Sequence, residues 1–135
     1  MSRIDPAKIW SLNYNLLMSV IAGVSPDISG LGLDTKELFV LAQVEEHPYP
    51  AELAATLSMP KPTITVYVKR LEAAGFLRRE LDAEDLRRHR LQVTPAGRKV
   101  TAKGLAMLSE AFGARLGRLS VAEQAELRSL LEKMS

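Results

Sequence analysis

Residues 53–94 read LAATLSMPKPTITVYVKRLEAAGFLRRELDAEDLRRHRLQVT, and this stretch decides the fold. Leu53, Ala54 and Leu57 share one face of a short helix. Ser58, Met59 and Pro60 break it. In a second helix, Ile64, Val68 and Leu71 recur at the spacing of one buried face. Its other face carries Lys61, Thr63, Thr65, Val66, Lys69 and Arg70. Gly75 closes it, because glycine takes positive φ without a steric penalty. Two short strands follow, Phe76 to Leu81 and His89 to Val93. Leu91 and Val93 alternate with polar neighbours, the period of a half-exposed hairpin. Arg87, Arg88 and Arg90 fall within four positions beside its tip. A helix, a turn, a basic helix and a basic hairpin in this order can offer one helix to a DNA major groove.

Upstream, Pro50 opens the short helix, and His47-Pro48-Tyr49-Pro50 separates it from another that begins at Asp34. Asp34 and Glu37 have the offset of a capping box. Leu38, Phe39, Leu41 and Ala42 supply that helix with a core face. Residues 25–33, SPDISGLGL, read as a loop on account of the proline and glycines. Residues 6–24 read as a helix, with Asp5 as cap and Pro6 in the first position. Trp10, Tyr14, Leu17, Met18 and Ile21 form one apolar stripe on it, and Ile9, Leu12, Leu16 and Val20 form a second. A helix apolar on two faces does not suit a solvated surface, so packing on its own domain and on a second chain is expected.

Downstream, Thr94-Pro95 starts a helix that runs to about residue 117 and carries Val100, Leu105, Leu108, Phe112 and Leu116. Gly104 and Gly113 weaken it by roughly 1 kcal/mol each relative to alanine. They permit a close helix approach or a bend. Ser120 and Glu123 form a second capping box before a last helix striped by Leu127, Leu130, Leu131 and Met134. The fold class is therefore mainly α with a small β-hairpin wing (α+β), in one domain of 135 residues.

Composition narrows the function. The chain has no cysteine, which removes disulfides, thiolate zinc sites and thiol redox sensing. Its opening residues, MSRIDPAKIW, lack the apolar core of a signal peptide, and no apolar run approaches the roughly 20 residues of a membrane span. A cytoplasmic location without membrane partners is expected. The net charge of +2 hides an asymmetry. Residues 1–59 hold 3 basic and 7 acidic side chains, residues 60–103 hold 11 and 5, and residues 104–135 hold 4 of each. Positive charge thus gathers on the second helix and the hairpin, where a phosphate backbone is the natural partner. A solvated basic face is the plainer alternative.

The stretches Leu71-Glu72-Ala73-Ala74-Gly75-Phe76-Leu77-Arg78-Arg79, Asp82-Ala83-Glu84-Asp85-Leu86-Arg87-Arg88 and Leu91-Gln92-Val93-Thr94-Pro95-Ala96-Gly97 together resemble the MarR family of winged helix-turn-helix transcription regulators. The likeness in order and spacing covers roughly residues 34–105. It implies a homodimer whose terminal helices, 5–24 and 95–135, intertwine, and a DNA-binding region over residues 34–94. It implies a reading helix over 61–74 and a wing tip over 82–90 at the minor groove. Asp85 and Arg87 occupy the family's D-x-R positions, where the acid orients the arginine, and Arg88 is a second candidate for minor-groove insertion. Two departures stand out. Val66 lies where family members commonly carry arginine, so a thymine methyl contact replaces a bidentate guanine contact. Leu86 replaces the usual glycine or charged residue, which alters the wing turn.

On this reading Thr63 and Thr65 inspect base edges, or else cap and face solvent. Lys61, Lys69 and Arg70 hold phosphates. Arg78, Arg79 and Arg90 decorate a strand face, with Arg90 grouped with the wing. Trp10 and Tyr14 are candidates for a small-molecule pocket, since many members of the resembled family bind aromatic acids or lipophilic compounds; dimer-core packing is the simpler reading. His47 and His89 have no metal-ligand spacing. With no catalytic grouping or glycine-rich phosphate loop in view, neither an enzyme, a cofactor nor a metal is expected. The expected function is a dimeric, sequence-specific regulator on a pseudo-palindromic duplex, acting as a repressor released by an effector. A winged-helix protein-interaction module is the alternative.

Overall fold

The computed structural model of the chain describes residues 3–85 and 88–135. Among these, six helices and one hairpin follow in the order α1 Pro6–Ser29, α2 Thr35–Gln43, α3 Pro50–Leu57, α4 Lys61–Ala73, β1 Leu77–Leu81, β2 His89–Val93, α5 Pro95–Leu116 and α6 Val121–Met134. The chain divides into two compact units, residues 25–105 and residues 1–24 with 106–135.

The unit of residues 25–105 holds most of the core. Ile28, Leu38, Val40, Leu41, Val44 and Leu53 are buried there together with Ile64, Val68, Leu71, Leu77 and Leu91. Ile64, Val68 and Leu71 turn inward from α4, as their helical spacing requires. Asp34 caps α2 through the expected reciprocal pair of hydrogen bonds with Glu37. Burial shifts the Glu37 carboxyl upward from its ordinary value. The core face of α2 is wider than the expected stripe of Leu38, Phe39, Leu41 and Ala42. Val40 and Val44 are fully enclosed as well, whereas Phe39 and Ala42 keep part of their surface. A nine-residue helix that packs against α3, α4 and Gly104 of α5 has no fully solvated side, so one apolar stripe underestimates it.

The loop expected over residues 25–33 begins only at Gly30, because α1 runs through Pro26 to Ser29. An interior proline costs a helix about 3 kcal/mol through its missing N–H and ring clash. Val24 and Ile28 on either side of it are buried, and each buried aliphatic side chain returns roughly 1.5–3 kcal/mol. The Ser25 and Thr35 hydroxyls add a hydrogen bond of 3.0 Å from the helix to the start of α2.

The hairpin is antiparallel, with Leu77 opposite Val93, Arg79 opposite Leu91 and Glu80 opposite Arg90. Leu77 and Leu91 lie on the covered face. Thr94 caps α5 by accepting from the Gly97 amide at 3.0 Å. In the unit of residues 1–24 and 106–135, Ser120 and Glu123 form the second capping box, which draws the Glu123 carboxyl below its ordinary value. Here Phe112, Leu116, Leu127 and Leu131 line an apolar groove between α5 and α6. Trp10, Leu12 and Leu17 on α1, and Leu130 and Met134 on α6, remain exposed in the single chain.

Candidate nucleic-acid interface

The turn between α3 and α4 sets the angle of the exposed helix. Ser58 ends α3 in the left-handed region at φ 52°, and the Met59 amide reaches back to the Ala54 carbonyl at 3.0 Å. Pro60 then starts α4 without a side-chain cap. Proline in the first turn loses no helical bond, since those donors have no intrahelical partner. The uncapped turn is electropositive, and Lys61 lies in it.

From this start α4 shows Lys61, Val66, Lys69 and Arg70 to solvent, with Thr63 and Thr65 half-buried. Of the six residues expected on the reading face, Val66, Lys69 and Arg70 lie opposite Ile64, Val68 and Leu71, Thr63 and Thr65 flank that side half-buried, and Lys61 is exposed at the first turn. Thr65 donates its hydroxyl proton to the Lys61 carbonyl at 3.1 Å, which leaves the oxygen lone pairs able to accept. Val66 presents an aliphatic surface, 47% exposed, at the centre of the face. Arg70 lies over the Tyr67 ring at 5.8 Å.

The two arginines of β1 are engaged with neighbours. Arg78 donates to Gln92 at 2.8 and 3.0 Å and pairs with Glu80 at 3.4 Å. Gln92 in turn donates to Glu80 at 2.6 Å. Arg79 is held by Glu72 at 2.6 Å, which ties β1 to the end of α4. These contacts give Arg78 and Arg79 a structural role. Arg90 stands opposite Glu80 on β2 and is exposed.

At the wing, the Asp82 amide donates to the Arg88 carbonyl at 3.0 Å, and the Arg88 amide donates to the Asp85 carbonyl at 2.9 Å. Asp82 also accepts from the Glu84 amide at 2.8 Å and from the Tyr49 hydroxyl. The tyrosine bond, then the Glu84 amide, hold the Asp82 carboxyl below its ordinary value, and the same tyrosine bond raises the Tyr49 hydroxyl. The central guanidinium carbon of Arg88 lies over the Tyr49 ring, 3.6 Å from its centroid. Tyr49 was not among the expected site residues. Its partners are remote in sequence, and its own neighbours, two prolines, signal only a break. Leu86 and Arg87 lie outside the described residues, and with them the expected orientation of Arg87 by Asp85.

Trp10 and Tyr14 stand together on α1, ring centroids 6.4 Å apart, on an open face. One chain alone does not enclose them: Trp10 is 70% exposed. Among the described residues no group of three or more histidine or acidic side chains is placed to hold a metal ion. None of the described helices is long and apolar enough to cross a membrane.

A helix-turn-helix whose second helix is solvent-facing and basic, followed by an arginine-bearing hairpin, defines a winged helix-turn-helix protein. A model of the MarR family matches residues 31–88. The HTH-type transcriptional repressor Rv2887 of Mycobacterium tuberculosis is 28% identical over 136 residues, covering 99% of this chain and 98% of that protein. The transcriptional regulator HosA of Escherichia coli is 38% identical over 74 residues, 55% of each chain. The crystal structure of MarR superposes with a TM-score of 0.83 at 26% identity, over 99% of this chain and 91% of that one. The crystal structure of Rv2887 in complex with p-aminosalicylic acid superposes with a TM-score of 0.75 at 27% identity, over 92% and 95% of the two chains. Residues 31–88 thus match the MarR family, and the chain is a DNA-binding transcription regulator of the winged-helix kind.

Proposed function

We propose that this protein is a cytoplasmic, homodimeric repressor that recognises a pseudo-palindromic operator. The observation that carries the reading is the division of α4, with Ile64, Val68 and Leu71 buried and Lys61, Val66, Lys69 and Arg70 exposed. Lys61, Lys69 and Arg70 contact backbone phosphates and set the register, while Thr63, Thr65 and Val66 face the base edges. Arg87, Arg88 and Arg90, with Asp85, carry the wing to the flanking backbone and minor groove.

Two such helices on one dimer engage half-sites roughly 34 Å apart, one DNA turn. The exposed apolar residues of α1 and α6 supply the dimer surface, because large apolar areas left in water drive association. Repression follows where the operator overlaps a promoter. Release by a small aromatic or lipophilic effector follows from a shift between dimer shapes that differ in half-site spacing. The p-aminosalicylic acid bound by the related Rv2887 supports an effector of this class. Trp10 and Tyr14, open in one chain, line such a pocket once a second chain covers them.

Titration of fragments from the protein's own upstream region, at rising salt, tests the reading. Saturable binding that prefers one fragment and weakens steeply with salt is expected. Failure to bind any fragment at low salt defeats it.

A further inference from the structure

We propose that Tyr49 is a positioning residue for the wing, holding Arg88 on its ring and Asp82 on its hydroxyl so that Arg88 meets DNA as a preset backbone-phosphate contact. This deepens the DNA-binding reading above and rests on it.

Two consecutive residues anchor the hairpin. The Leu91 amide donates to the Pro48 carbonyl at 2.8 Å, which fastens β2 to the segment before α3. Tyr49 then takes hold of both ends of the loop, Asp82 by a hydrogen bond and Arg88 by its ring face. Those two loop residues are already joined, since the Asp82 amide donates to the Arg88 carbonyl at 3.0 Å. Ring, carboxylate and guanidinium therefore close one cluster at the base of the wing.

The backbone explains why this side chain is available. Tyr49 precedes Pro50, which keeps it extended at φ −117° and ψ 137°. It is also the N-cap residue of α3 and makes no side-chain cap bond there. The side chain instead faces the hairpin. Because α3 packs on α4, the residue that starts α3 ties the wing to the reading helix in one frame.

The geometry also specifies what Arg88 does. A guanidinium whose central carbon lies 3.6 Å from a ring centroid is covered by the ring on that side and has N–H donors left for phosphate oxygens. A side chain folded back on Tyr49 is not extended toward the floor of a groove. The stacked arginine thus adds affinity and salt dependence without sequence preference.

The test uses the full chain with Tyr49→Leu, Tyr49→Phe, Arg88→Ala and the Tyr49→Leu/Arg88→Ala double variant. Affinity is measured against salt on a bound promoter fragment and on a scrambled duplex. Proton spectra of the free protein report the ring-current shift of the Arg88 side chain. Arg88→Ala is expected to weaken both duplexes by the same factor, roughly tenfold, and to reduce the slope of log K against log salt by about 0.9. Tyr49→Leu reproduces the reduced slope, and the double variant loses no more than Arg88→Ala. Tyr49→Phe, which keeps the ring, retains the slope. The ring-current shift persists in the Phe variant and vanishes in the Leu variant.

An unchanged slope in a folded Tyr49→Leu protein overturns the proposal. So does a loss in Arg88→Ala confined to the promoter fragment, which makes Arg88 a reader of sequence. Should Tyr49→Leu fail to fold, absence of the shift in the parent overturns it without that variant. A parent that binds neither duplex overturns the DNA-binding reading and this role together, whereas a binding parent with an indifferent Tyr49 overturns this role alone.

Discussion

Gly104 of α5 lies so close to Leu38 of α2 that a Cβ built on it would stand 2.7 Å from Leu38 Cδ1 and 2.8 Å from Cδ2. Leu38 is completely buried, so its methyl groups have nowhere to retreat. Gly104→Ala gains about 1 kcal/mol of helix propensity and loses about 1–3 kcal/mol to overpacking. A net loss of about 1 kcal/mol is expected in urea denaturation. Gly97→Ala is more severe, because its Cβ would meet the Phe76 carbonyl oxygen at 2.2 Å, a backbone atom. Gly113 has nothing within 4 Å in the single chain, so Gly113→Ala stabilises by about 1 kcal/mol. A loss there would place residue 113 against a second chain.

Gly75 separates conformation from packing. It sits at φ +83° with open space around its missing side chain. Gly75→Ala therefore costs only the left-handed backbone penalty, about 1–2 kcal/mol, and Gly75→Asn costs less. Thermal melts of the two variants against the parent check the order.

Trp10 is the single tryptophan and is 70% exposed in one chain. If α1 packs on a partner, its emission shifts to the red on dilution, as dimer gives way to subunit. Leu127→Asp puts a charge into the apolar groove between α5 and α6 and moves the sedimentation equilibrium toward subunits. An unaltered dimer in that variant would remove α6 from the interface.

Val66 offers only methyl groups at the centre of the reading face. Replacing one operator thymine by deoxyuridine should weaken the parent by a few-fold, of order 1 kcal/mol, and leave Val66→Ala indifferent at that base. Equal losses in both proteins would mean that Val66 touches no thymine.

The Tyr49–Asp82 bond has a defined pH range. The Asp82 carboxyl is lowered from 3.8, chiefly by the Tyr49 hydroxyl, so its contribution is present above that value and is lost as pH falls through the lowered one. The Tyr49 hydroxyl is raised from 10.0 by donating to Asp82, so its contribution is present below that value and is lost as pH climbs through the raised one. Both groups are half-buried at the surface, and the effect on global stability is small. The sharper measurement is tyrosinate absorbance. One of the three tyrosines should titrate above 10.0, and Asp82→Asn should bring it back.

Much of this was legible in the residues alone. The inward triad of Ile64, Val68 and Leu71, the two capping boxes, the positive-φ glycine at 75 and the hairpin all follow from spacing and backbone chemistry within a few residues. These are local properties, decided by helical period, side-chain reach and steric freedom. The basic outer face of α4 was equally plain, since it is what remains once the inner face is assigned.

Tertiary packing decided the rest. Pro26 looked like a helix end, and its neighbours Val24 and Ile28 override it only because they are buried. Arg78 and Arg79 read as two more basic residues until the fold set Glu80, Gln92 and Glu72 beside them. Tyr49 and Asp82 are 33 residues apart, and no periodicity connects such positions. Spacing reveals which way a side chain points, but contact between distant residues exists only when a whole unit closes on its shared core.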